Sequence, residues 1–123
     1  ASAVDLGVVF LLPPFADRPD PDVRTAFADA PRAMLRPAGG LAPGGSWRDD
    51  GISWTTSTSS YALAAAALAD RAAADRWLRW LDAHRTGAGS LPEKVLADGR
   101  PAAVAPPAWA SAAVVLAAVE LGG

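Results

Sequence analysis

The chain has no cysteine, one lysine (Lys94), one histidine (His84) and only two glutamates, Glu93 and Glu120. Without cysteine there are no disulfides and no thiolate metal sites, and the redox compartment stays open. A single histidine cannot build a His-based metal cluster. The net charge is −2 and no basic patch stands out, so nucleic acid is not an expected partner. Long apolar runs are missing as well. The stretch from Ala1 to Phe15 carries Asp5 and has no basic leader, so it makes a poor signal peptide. Neither it nor Pro107 to Leu121 is long enough to span a bilayer. A soluble chain with no membrane partner, cytoplasmic by default, is the expectation.

What is present is globular in character: 123 residues, 51% hydrophobic and 20% charged, the size of one modest domain or a piece of a larger one. Val4 to Leu12 is apolar nearly all round, and periodicity alone does not separate helix from strand there. Asp20-Pro21 reads as an N-cap followed by proline at the first helical position. Val23, Phe27, Ala30 and Met34 then share a face, in a helix weakened at Pro31 and stopped by Pro37. A glycine-dense loop runs from Ala38 to Trp54. After several cap candidates, a helix through Tyr61 to Leu68 is apolar on every face and is expected to be buried. Asp70 caps the next helix. On it Trp77, Trp80, Leu81 and His84 form one face, while Arg71/Asp75 and Asp75/Arg79 have i,i+4 spacing on another. A second long loop, Gly87 to Pro106, precedes an apolar helix opened by Pro107.

The helices thus read buried, half-exposed, buried, half-exposed, buried. If consecutive helices run antiparallel, the two long loops lie at one end and the short connections at the other. The loop with Trp47, Arg48, Asp49, Asp50 and Trp54 then meets the loop with Glu93 and Lys94. The fold class is all-α, helical hairpins laid out as part of an (α/α)6 toroid.

Three stretches carry a family resemblance: Ser53-Trp54-Thr55-Thr56-Ser57-Thr58, Leu91-Pro92-Glu93-Lys94-Val95, and Pro106-Pro107-Ala108-Trp109-Ala110-Ser111-Ala112. Together they resemble the end of the catalytic domain of family 15 glycoside hydrolases, which include glucoamylases, glucodextranases and bacterial trehalases. The resemblance implies one partial catalytic domain over residues 1–123, about five helices of the toroid, with an α-glucoside or oligosaccharide as substrate. No cofactor and no metal are implied. It implies Glu93 as the general base of an inverting hydrolase and Trp54 and Trp109 as walls of the sugar site, with Lys94 and Trp47 beside them. An inverting enzyme needs a carboxylate to activate water and, about 6.5–9.5 Å away, a protonated acid. The family's acid is a glutamate far upstream, and no residue here occupies its place. Where the family often has an Arg-Tyr pair, Leu41-Ala42-Pro43 stands; Pro107 and Ala110 replace the more usual Leu and Ser/Thr. The chain is therefore expected to be inactive without the upstream part of the domain. Its inner helices, Tyr61 to Leu68 and Pro107 to Leu121, are expected to expose apolar flanks, so either that part or a second copy is the expected protein partner.

Each site residue also has a plainer reading. Glu93 reads equally as a solvated loop carboxylate paired with Lys94, and residue type alone favours that. Trp54 and Trp109 read as core tryptophans, as Trp77 and Trp80 do on their apolar stripe. Asp49-Asp50 reads as a turn former, and His84 as a partner for a helix C-terminus. A non-catalytic helical module, structural or sugar-binding, is the alternative function.

Overall fold

Capping chemistry sets where the helices start. In the computed structural model, which describes residues 6–14, 16–17, 20–102 and 108–122, the Asp20 carboxylate accepts the Asp22 N–H at 2.7 Å. Pro21 then opens α1 (Pro21–Asp29). Pro31 has no N–H to continue that ladder, so the helix breaks and restarts as the short α2 (Pro31–Met34). Asp70 accepts the Ala73 N–H at 3.2 Å and starts α4 (Arg71–Ala83). The helix before it, α3 (Thr55–Ala67), has Trp54 at its N-cap and no side-chain cap.

The apolar opening resolves as a 3-10 helix, Leu6–Leu11, with Val9 and Leu12 buried. The chain is mostly helical, and three two-residue strands, absent from the all-α expectation, join the loops: β1 (Ser53–Trp54), β2 (Lys94–Val95) and β3 (Pro101–Ala102). They form one antiparallel sheet in the order β1-β2-β3. The last helix is α5 (Ala108–Gly122); Pro107, expected to open it, lies outside the described residues.

Helix α3 is the centre of the molecule. It packs on both α4 and α5, and from Ser57 to Ala66 every residue is buried. Its polar first turns are buried too, which its composition alone would not suggest. Most of those hydroxyls are satisfied locally: Thr58 Oγ donates to the Trp54 carbonyl, and Ser59 and Ser60 donate to that of Thr56. Tyr61 stacks on Phe27 of α1 at 4.5 Å and meets Trp77 of α4 edge-on at 6.4 Å, so one ring locks three helices.

The flanking helices differ from α3. Neither i,i+4 pair on α4 forms; among the described residues the ion pairs are Arg85–Asp82 and Arg100–Asp98. Arg71 instead donates to the Leu121 carbonyl at 2.8 Å. Helix α5 is not buried all round. Ala110, Ala113 and Ala117 face the core, while Val115, Leu116 and Val119 stand in solvent.

The contacts also fix direction. Thr55, at the start of α3, is bonded to the Glu93 carbonyl. Leu81 near the end of α4 clusters with Leu91 and with Ala110 near the start of α5. Arg71 and Leu121 meet at the other end. The first turn of α3, the last of α4 and the first of α5 therefore share one end with both long loops.

Candidate functional site

Two-residue strands are enough to join the loops because every residue in them is paired. Ser53 faces Val95 and Trp54 faces Lys94 across β1 and β2. Facing residues in an antiparallel pair project on the same side of the sheet, and here the Lys94 ammonium lies over the Trp54 indole, 4.6 Å from its centroid. This is cation–π geometry. Trp47, 42% exposed, meets the same indole edge-on at 6.2 Å and 88°. The Trp54 indole N–H is buried without a hydrogen-bond partner among the described residues.

Glu93 immediately precedes β2, and its backbone is held hard. Its carbonyl accepts both the Thr55 N–H and the Thr55 hydroxyl, each at 3.1 Å. The same hydroxyl bonds the Pro92 carbonyl. Leu91 and Pro92 are buried beneath it. The side chain is half-buried, and among the described residues its carboxylate has neither a hydrogen bond nor an ion pair. The expected pairing with Lys94 does not form, because the ammonium is on the indole. A carboxylate on a fixed backbone, without a partner among the described residues, can accept a proton from water or bind a hydroxyl.

The structure thus brings the side chains of Trp47, Trp54 and Lys94 together, with Glu93 the chain neighbour of Lys94. The Trp109 side chain lies outside the described residues. Asp50 accepts the Ile52 N–H at 3.0 Å, and both it and Asp49 are exposed, as turn formers are. Trp77 is core, 2% exposed. His84 is the C-cap of α4; its Nδ1 lies 2.7 Å from the Trp80 carbonyl, which requires that nitrogen to carry the proton, and its ring lies against the Trp80 indole at 4.5 Å.

Trp80 itself differs from the expectation of a core residue. It is half-buried, and its indole N–H donates to the Ala38 carbonyl at 2.8 Å, under the first long loop. The two consecutive glycines at 39 and 40 were the available signal, since a bulky ring can lie against backbone only where side chains are missing.

The residue with a displaced pKa lies off this cluster. Asp98, in the turn between β2 and β3, is held below the usual carboxylate range by the Arg100 backbone N–H and then by its guanidinium. A concavity of about 530 Å3 also lies elsewhere, between α2 and α4, floored by Phe27, Tyr61 and Trp77 and edged by Arg32 and Arg76. Its one carboxylate, Asp70, is engaged as the cap of α4. The loop cluster is the better candidate, because a carboxylate without a partner among the described residues and an exposed indole lie on the two loops that the strands join.

No family model and no curated protein matches the chain. It is similar to solved structures. One, described as a wild-type glycosidase, has a TM-score of 0.79 and 26% identity, and the likeness covers 99% of this chain and 37% of that one. Another, a glycosidase variant in complex with glucose, has the same TM-score at 24% identity. The chain has a glycoside-hydrolase fold, and it spans 37% of the length of the solved chains it matches.

Proposed function

We propose that the chain is the C-terminal part of the catalytic domain of an inverting hydrolase of α-glucosidic bonds, in a family 15-type (α/α)6 toroid, with Glu93 as general base. The observation that carries the reading is the pairing of Trp54 with Lys94. It fixes the two loops against each other, with Glu93 adjoining β2 on a backbone bonded to Thr55, in a chain with the fold of a glycosidase. Indole faces stack on the C–H faces of a pyranose, and a free carboxylate can take the proton of an attacking water. In this reading Trp54, Trp47 and Trp109 line the sugar site, Lys94 braces Trp54 and bonds sugar hydroxyls, and residues 1–123 are a partial domain. The acid comes from the upstream part. Glu120 does not serve, since it lies by Leu121 at the end of the bundle tied to Arg71.

The test is Glu93→Gln in the protein that joins this chain to its upstream helices. Loss of a general base lowers kcat by roughly 10²–10⁴-fold, with the circular dichroism unchanged. Turnover near that of the parent would refute the role. The missing acid gives a second reading its support, a sugar-binding module without catalysis. In that case the 123-residue chain binds maltose in calorimetry, and the joined protein releases no glucose from it.

A further inference from the structure

Trp80 belongs to a helix whose apolar stripe packs inward, yet its indole reaches a loop 42 positions earlier. Its N–H donates to the Ala38 carbonyl at 2.8 Å. Its six-membered ring takes the place where a side chain at position 40 would stand. A Cβ on Gly40 would lie 2.5 Å from that ring and 2.8 Å from the Ser53 Cβ. Gly39, with φ at +100°, turns the chain over the five-membered ring of the same indole.

What lies beyond this turn is the backbone of the candidate site. The Gly40 N–H donates to Ser53 Oγ at 3.2 Å, and the Leu41 N–H to Thr58 Oγ at 3.0 Å. Leu41 then bridges Trp54, whose N–H donates to the Leu41 carbonyl at 2.8 Å. Trp54 pairs in turn with Lys94. A series of hydrogen bonds therefore runs from the Trp80 indole through residues 38–41 to β1 and on to β2.

We propose that Trp80 is a positioning residue for the sugar site: it clamps the Ala38–Gly40 turn and thereby sets the backbone that carries Trp54. The role rests on the saccharide reading above for its purpose, but not for its mechanics. It also accounts for the paired glycines, which leave room for the clamp.

Trp80→Phe removes the donor and narrows the ring; Gly40→Ala drives the turn off it. Hydrogen exchange followed by NMR separates a clamp from general support. In both variants the Gly40 and Trp54 amides are expected to exchange at least about tenfold faster, the size of one hydrogen bond, while the Leu68 amide inside the α3 terminus keeps its rate. Exchange at Trp54 that is unchanged, or that rises only in step with Leu68, overturns the clamp. Maltose titration by calorimetry supplies the second arm. Wild-type binding with about tenfold weaker binding by each variant supports the service to the site, and equal affinities overturn it. Should the 123-residue chain bind no saccharide, the exchange pattern alone decides whether Trp80 positions Trp54, and the sugar reading is left to the joined protein.

Discussion

Ser57 sits in the first turn of the central helix, 1% exposed, and its hydroxyl has no hydrogen-bond partner among the described residues. Its neighbours in sequence show the contrast. Thr55, Thr58, Ser59 and Ser60 are as deeply placed, and each bonds a carbonyl. Desolvating a hydroxyl without compensation costs about 1–3 kcal/mol, and alanine is also the better helix former. Ser57→Ala is therefore expected to raise the free energy of unfolding by about 1 kcal/mol in urea denaturation. A loss of stability would mean that the hydroxyl holds a partner in solution. At the same scale Glu93 is the opposite case: its carbonyl is doubly bonded while its carboxylate is left free. A residue whose backbone is fixed and whose functional group is unspent is suited to chemistry, because the groups that orient it do not neutralise it.

At the scale of elements, the β2–β3 hairpin is held by a charged turn. The Arg100 N–H donates to Asp98 at 3.0 Å, and the Arg100 side chain pairs with the same carboxylate at 2.6 Å. The folded pKa of Asp98 is depressed below 3.8, so its contribution is present above that value and is lost as pH falls through the folded pKa. NMR titration of the Asp98 carboxyl is expected to give a midpoint below 3.8, with the Leu96 N–H to Arg100 carbonyl bond opening over the same range. Asp98→Asn should abolish that pH dependence; an unshifted midpoint would remove the turn from this role. The hairpin also marks the limit of what could be read from residue order. Asp20-Pro21, Pro31 and Asp70 were legible because capping and chain breaking are decided within a few residues. The meeting of the two long loops was legible from the burial rhythm of the helices. The strands were not, since two residues cannot show alternation. The Trp80 clamp was not either, because its partner lies 42 positions away and nothing periodic links them. The exposed flank of α5 was legible, because an apolar helix of a partial bundle lacks the neighbours that would cover it; the same expectation for Tyr61 to Leu68 fails, since α4 and α5 pack on α3.

At the scale of the whole molecule, that last point has a measurable consequence. Val115, Leu116 and Val119 are 62%, 47% and 65% exposed, at positions that helical geometry sets on one side of α5. Helix α3, equally apolar in its second half, exposes no such flank, because α4 and α5 cover it. The difference follows from packing: α4 and α5 both pack on α3, while α5 has its main contact with α3 alone among the described elements. An apolar face of this kind lowers its free energy by covering itself, at about 25 cal/mol per Å2 removed from water. In the reading proposed above, the cover is the upstream part of the domain. In the 123-residue chain alone it is a second copy. Light scattering is therefore expected to give an apparent mass that rises with concentration above that of the monomer. Leu116→Lys with Val119→Lys should return it to the monomer value. The helical circular dichroism should survive, since both side chains already stand in solvent and their replacement leaves the Ala110, Ala113 and Ala117 face against the core. A wild-type chain that stays monomeric across the concentration range would overturn the argument, and would mean that α5 tolerates water without a partner.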